Sequence, residues 1–540
     1  MEAPNAPPET SDTLEASSRT PEAPGPPAPP VSVLDLTPTP PQDPAASLAD
    51  APPDWFHDLH LDDIEAALTA GREDFELRPF FRSPLTSRDA IVYRHEVFRD
   101  LERPEVRATI TAFAERMAAM RGQLARANKV HVDLERQRWL LDAAGTYQEA
   151  VERLQDGLAA TRPDARGLRR LGAFLETYVA GPSFADLGRD ISTVRAGLDG
   201  ITYRLAISGG QVRVSRYEHE PDYGAHVLAT FERFSQGATE RYMFRSGQGQ
   251  DMNHVEAEIL ERVALLYPAP FAALRTFCAD HTDFLDPTVA RFDREVQFYL
   301  AYLEYLAPIR AAGLAIAYPE IDEAHATLDV RSAYDLALAS LRVGEGATVV
   351  PNDLALAGPE RIIVVSGPNQ GGKTTFARTV GQLHHLALVG CPVAAASARL
   401  PLVDRIFTHF EREEDLQEQS GKLEDDLRRI HRILDEATSR SLLVINESFA
   451  STTLQDALFL STEVLRSVIA CGLWCVTVTF LDELASLGPE TVSMVSSVDP
   501  DDPTRRTFKV IRRPADGLAY AMAVAEKHGL TYAQLTGRRR

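Results

Sequence analysis

The chain has 540 residues, 44% hydrophobic and 25% charged, a composition that excludes a wholly disordered or collagen-like protein and leaves room for several packed domains. Its formal net charge of −22 excludes a surface coated in basic groups, so composition by itself predicts no nucleic-acid binding. Apolar runs are too short to span a bilayer, Met1-Glu2-Ala3-Pro4 lacks the regions of a signal peptide, and Cys278, Cys391, Cys471 and Cys475 lack zinc-type spacing; the expectation is a cytoplasmic protein with reduced core thiols and no membrane partner.

In chain order, residues 1–52 are rich in Pro, Ala, Ser and Thr, which predicts a disordered tail because so little apolar surface cannot offset the entropy of ordering. Order begins near Trp55-Phe56 and opens a helical region over 53–195. Val106, Ile110, Phe113, Met117, Met120 and Leu124 recur at steps of three and four, and a second stripe runs Leu140, Ala144, Tyr147, Val151, Leu154 and Leu158; both mark core-facing helix sides. Residues 196–250 form a small insert. There Ile201, Tyr203, Leu205 and Ile207 alternate up to Gly209-Gly210, and Val212 and Val214 follow, the pattern of a β-hairpin. Helices return over 251–318, and strand–helix alternation over 319–533 predicts a mostly parallel sheet with its ligand at the strands' carboxyl ends. A short basic tail, 534–540, closes the chain. The basic cluster Arg162, Arg166, Arg169 and Arg170 is read as a solvated face before it is read as a phosphate site.

The C-terminal domain carries the chemistry. Behind the apolar strand from Ile362 to Val365 runs Gly367-Pro368-Asn369-Gln370-Gly371-Gly372-Lys373-Thr374, followed by Thr375, which fits G-x-x-x-x-G-K-[ST] at every fixed position. Glycines let main-chain N–H groups turn toward phosphates, the lysine reaches the terminal phosphates, and the threonine hydroxyl is a Mg²⁺ ligand. ATP with Mg²⁺ is therefore the expected ligand. A second strand, Leu442-Leu443-Val444-Ile445, ends in Asn446-Glu447, where a P-loop ATPase places its metal-organising acid and the carboxylate that orients water. Asn446 keeps an oxygen without the charge, so Mg²⁺ binding is expected to be weak and hydrolysis slow, with Glu447 as the base.

Several strings resemble one family, the MutS DNA mismatch repair ATPases: Val350-Pro351-Asn352-Asp353-Leu354, Ser366 through Thr375, Asp404-Arg405-Ile406-Phe407-Thr408, and Tyr520-Ala521-Met522-Ala523-Val524-Ala525 before Gly529-Leu530. The resemblance covers most of residues 320 to 531. It implies DNA as a partner, repair or recombination proteins as further partners, and a homodimer with ATP sandwiched between subunits. It also makes the helical region a core with lever arms, makes the insert a reduced clamp, and places Asn352 at the nucleotide. Glu418 through Asp425 fall at the family's cross-subunit segment, so Ser420 either reaches the partner's γ-phosphate or caps a helix. Ser451-Thr452-Thr453 is open between an inter-subunit loop and a plain cap. The chain departs from the family at Asn446, usually Asp, and at Phe480, which stands where the family has His and cannot donate a hydrogen bond to phosphate. Phe113-x-Glu115 and Phe174-x-Glu176 match the family's mismatch-reading wedge by letter but lie in helical patterns, and the expectation is a protein without that reader. The expected function is that of a nucleotide-gated, DNA-binding ATPase; the alternative is a nucleotide-dependent scaffold that does not touch DNA.

Overall fold

The computed structural model describes residues 31–36, 51–218, 252–324, 327–411, 421–502 and 505–515. Short helices α1 (Trp55–Asp58), α2 (Leu61–Thr69) and α3 (Arg78–Arg82) lead into α4 (Arg88–Glu102), α5 (Pro104–Lys129), α6 (Asp133–Thr161), α7 (Arg166–Val179) and α8 (Pro182–Asp199). Pro104 and Pro182 open their helices, where a missing N–H breaks no bond. α5 buries Val106, Ile110, Phe113, Met117 and Met120 as its spacing predicts. On α6 the buried stripe begins at Leu141, and Leu140 is only half-buried. Leu141 continues the face of Ala144, Tyr147 and Val151 at helical steps, whereas Leu140 points beside it.

The hairpin lies where its alternation puts it, as β1 (Tyr203–Ser208) paired antiparallel with β2 (Gln211–Arg216), Ser208 opposite Gln211. The helices α9 (His254–Leu266), α10 (Pro268–Asp280) and α11 (Pro287–Ala311) come next. α11 is buried along most of its length, including Asp293, Glu295 and Gln297.

The C-terminal part runs β3 (Glu320–Asp322), β4 (Thr327–Ala333), α12 (Leu336–Gly344), β5 (Asn352–Ala357), β6 (Ile362–Ser366), α13 (Lys373–Leu388), β7 (Ser397–Pro401), β8 (Ile406–Phe410), α14 (Lys422–Glu436), β9 (Leu442–Asn446), α15 (Leu454–Cys471), β10 (Trp474–Val478), β11 (Thr491–Val498) and β12 (Arg506–Arg512). One sheet has the order β12-β11-β6-β10-β9-β8 and is parallel except for the edge strand β12. A second sheet, β3-β7-β4-β5, was not anticipated from the sequence. β6 is buried on both faces: Ile363 and Val365 join the core beneath α13, while Ile362 and Val364 join the core formed by α14 and α15. That two-sided burial is why the strand reads as a continuous apolar run. The architecture is thus α followed by α/β, with a mostly parallel sheet in the C-terminal domain. The larger core is continuous from Val33 through α11 and α13 to Val510, so helical region and sheet share one interior.

One expectation is corrected. Within the predicted disordered tail, residues 31–36 are packed, with Val33 and Leu34 each 1% exposed. Composition averaged over the tail hid a local Val-Ser-Val-Leu run that finds partners on three helices. Residues 1–30 and 37–50 of the tail, most of the insert beyond the hairpin, Ser420, the string from Tyr520 to Leu530 and the basic tail lie outside the described residues.

Candidate functional site: a phosphate loop at the end of β6

β6 delivers its carboxyl end, Ser366, between β10 and β11, and the chain turns through residues 367–372 into α13, which begins at Lys373. The glycines here answer to β11. A Cβ on Gly367 would lie 2.9 Å from the Ser496 carbonyl oxygen, and one on Gly371 would collide with the Ser496 hydroxyl. The Ser496 hydroxyl instead donates to the Gly371 carbonyl at 2.6 Å, so a sheet residue braces the loop. Gln370 takes φ 57° and Gly372 φ 90°, left-handed conformations that let the loop turn tightly into α13.

Lys373 is 4% exposed. Its Nζ donates to the carbonyl of Gly367 at 2.9 Å, to that of Pro368 at 3.3 Å and to Asn369 Oδ1 at 3.3 Å. Burial lowers its pKa below that of an ordinary lysine, Glu447 opposes this, and Arg506 adds to it. The face of Phe480, 53% exposed, stands 4.3 Å from the ammonium. A phenyl ring in place of a polar side chain therefore contacts the loop's cation directly.

Thr374 Oγ1 donates to Asn446 Oδ1 at 2.9 Å, which joins the end of β9 to the start of α13. Two oxygens in an octahedral Mg²⁺ shell, each at 2.0–2.1 Å, stand roughly 2.9 Å apart, so the pair fits two neighbouring metal positions, with phosphate oxygens and water to complete the shell. Among the described residues no cluster of three or more His, Cys, Asp or Glu could hold a metal without a nucleotide. Glu447 comes after Asn446 with φ 52°, its N–H bound to the Val478 carbonyl at 3.0 Å.

Asn352, the residues from Asn369 to Phe376, Glu447 and Phe508 line one cavity of about 510 Å³. Asn369, Gln370, Gly371, Gly372, Lys373, Thr374, Thr375 and Glu447 are thereby brought together, while Gly367 lies outside the lining. Pro368 contributes its carbonyl to Lys373. Asn352 spends its side chain on fastening β5 to β12: Oδ1 accepts from the Val510 N–H at 2.8 Å and Nδ2 donates to the Phe508 carbonyl at 3.2 Å. Thr453 caps α15 by accepting from the Asp456 N–H at 3.2 Å, the plainer of the two roles open to that loop. Phe113 and Phe174 pack against Phe292 and Tyr178 inside the helical region. Arg166 is bound to Glu96 and Asp89, so part of the basic cluster is structural.

Three residues escaped the sequence: Ser496, Arg506 and Phe508. Arg506 Nε donates to the Asn369 carbonyl at 3.1 Å, while Phe508, with φ 59° and 49% exposure, sets a ring at the cavity rim. All three lie on β11 and β12, and only strand pairing carries them to the loop.

A parallel sheet with a Gly-Lys-Thr loop between its central strand and the next helix places the C-terminal domain in the P-loop class. Residues 363–533 match the family model MutS domain V. The chain is 33% identical over 183 residues to "Endonuclease MutS2" of Thermus thermophilus, covering 34% of this chain and 24% of that protein. It is 29% identical over 170 residues to "DNA mismatch repair protein MSH3" of Kluyveromyces lactis, covering 31% of this chain and 16% of that protein. The similarity to MutS proteins is thus one of residues 363–533, and the matches span a quarter or less of the length of these relatives.

Proposed function

We propose that this protein is an ATP-binding, MutS-like ATPase that acts on DNA as a nucleotide-gated homodimer and does not itself read mismatches. The observation that carries the proposal is the single cavity shared by Lys373, Thr374 and Glu447, with Asn446 against Thr374. In it the loop N–H groups and Lys373 bind the polyphosphate, Thr374 and Asn446 hold Mg²⁺, the Phe508 ring lies against the base, and Glu447 orients a water molecule for attack on the γ-phosphate. Mg²⁺ supplies charge neutralisation at the phosphates when bound. Asn446 brings no charge to the metal and Phe480 no donor to the phosphate, so turnover is slow. Exposed Leu454 and Phe480, which flank the Glu447 loop and Lys373, support an apolar contact with a second subunit at this face.

DNA contact comes to this chain from the kinship of its C-terminal domain. Calorimetry with ATP and with ADP in magnesium buffer tests the nucleotide site: heat with the parent chain and none with Lys373→Ala is expected, and no heat with well-folded parent would sink the proposal. Salt titration of duplex and branched DNA binding, with and without an ATP analogue, tests the DNA part, because phosphate contacts release counterions and give a steep slope. Net charge of −22 favours the alternative, a nucleotide-dependent protein scaffold, and undetectable DNA binding in every nucleotide state would select it.

A further inference from the structure

The segment 31–36 is held by its main chain as well as by the buried side chains of Ser32, Val33 and Leu34. Ser32 Oγ donates to the Glu295 carboxylate at 2.9 Å and accepts from the N–H groups of Leu34 and Asp35 at 3.1 and 2.8 Å. Glu295 also accepts from the Val33 N–H at 2.8 Å. The carbonyls are met by four side chains: Tyr93 donates to Ser32 and Tyr299 to Val33, both at 2.6 Å, Arg94 to Leu34 at 3.1 Å, and Arg170 to Leu36 at 2.8 Å. The carbonyls of residues 32, 33, 34 and 36 and the Val33 N–H are thus answered by side chains of α4, α7 and α11, and the Leu34 and Asp35 N–H groups by Ser32 Oγ. Gly167 makes the space, since a Cβ there would stand 3.3 Å from Val33 Cα. Three helices thus supply partners that hold a short peptide by its carbonyls, and buried main-chain groups need such partners.

The groove is tied to the phosphate-loop helix. The Arg94 guanidinium, its side chain 4% exposed, donates through Nη1 to the Val389 carbonyl at 2.8 Å while its Nε holds Leu34. Val389 is the residue after α13, whose first residue is Lys373. Gly390 comes next with φ 74°, and a Cβ there would stand 2.7 Å from Arg94 Cβ. Cys391, fully buried, is its neighbour in the chain. Glu295 is buried beside Ser32, Val33 and Leu34, and Asp35 is the charged neighbour on the segment, 4.0 Å from Arg94.

We propose that the groove of α4, α7 and α11 is a docking site for a short peptide, that the chain's own residues 31–36 are its ligand, and that docking secures the turn at Val389–Cys391, at the end of α13, through Arg94. Undocking leaves Glu295 without its donors and Arg94 without one of its acceptors, so the 389–391 turn loosens with the segment. The inference stands whether or not the cavity takes a nucleotide.

The test uses the full chain and two readouts: amide hydrogen exchange and the rate at which an alkylating reagent labels each cysteine. Val33→Asp puts a carboxylate at a position 1% exposed in the core and releases the segment. Expected are loss of protection at residues 33–35 by a hundredfold or more, at least tenfold faster exchange at 389–391, and at least tenfold faster labelling of Cys391, with Cys475 on β10 unchanged. Release of the segment with exchange at 389–391 and Cys391 labelling both at parental rates overturns the proposal, as does fast exchange at 33–35 in the parent. If Val33→Asp unfolds the chain and exposes Cys475 as well, Ser32→Ala and Tyr299→Phe each remove one docking bond and should raise Cys391 labelling several-fold relative to Cys475. A ratio equal to the parent's in both would also overturn it.

Discussion

At Asn446 the difference between an amide and a carboxylate is one charge, delivered to a position 2.9 Å from Thr374 Oγ1. Hard divalent cations respond to ligand charge, so Asn446→Asp is expected to lower the Mg²⁺ concentration that half-saturates nucleotide binding by about tenfold and to raise steady-state turnover. Combining it with Phe480→His, which restores a donor where the ring now covers Lys373, should raise turnover further. Unchanged turnover in the double variant would show that neither residue limits hydrolysis. The amide at 446 and the ring at 480 were legible in the sequence because a motif assigns a function to each position. Ser496, which braces Gly371, was not, since a serine in a strand carries no signal until the strand's neighbour is known.

Gln382, buried in α13, joins three elements. Its Nε2 donates to the Leu59 carbonyl and to Asp335 Oδ1, each at 2.8 Å, and its Oε1 accepts from the Leu336 N–H at 2.8 Å. Asp335 in turn caps α12 by accepting from the Leu338 N–H. Gln382→Leu keeps the volume but strands buried polar groups at about 1–3 kcal/mol each, so unfolding in urea should show a loss of about 2–4 kcal/mol. A loss under ~0.5 kcal/mol would show that water replaces the side chain. The helices of the first half could be read from their apolar stripes because a one-sided burial leaves a period. The second sheet could not, because β3 has three residues and β4 and β7 pair across a long stretch of intervening chain.

Across the whole molecule, buried histidines set the acid limb of stability. Burial lowers His384 and His385 to about 4 and His95 to about 3, Arg99 adding to the last. Their unfolded value is near 6.5, so between pH 6.5 and 4 the unfolded chain binds more protons and stability falls as pH falls. Glu295 and Asp293, raised by burial to about 7 and about 6, act with the opposite sign: the folded chain holds their protons longer, and their contribution is lost as pH rises through those values. The difference between two proteins isolates the histidines. At pH 5.5 the double variant His384→Gln, His385→Gln should show a shallower dependence of unfolding free energy on pH than the parent, by up to about 2.7 kcal/mol per pH unit; equal slopes would mean that water reaches both rings.

The sequence by itself determined the α-then-α/β order, the strand–loop–helix around Lys373, the place of Glu447, and the kinship of the C-terminal domain, because each is written in residues close together in the chain. Tertiary structure alone decided that Ser496, Arg506 and Phe508 meet the glycine-rich loop, that Asn352 fastens one strand to another, and that Ser32, Val33 and Leu34 of a proline-rich tail are buried. Those outcomes depend on contacts between groups from 60 to more than 260 positions apart, such as Tyr93 and Glu295 with Ser32. A local pattern records which face a residue turns inward, but not what will be waiting there.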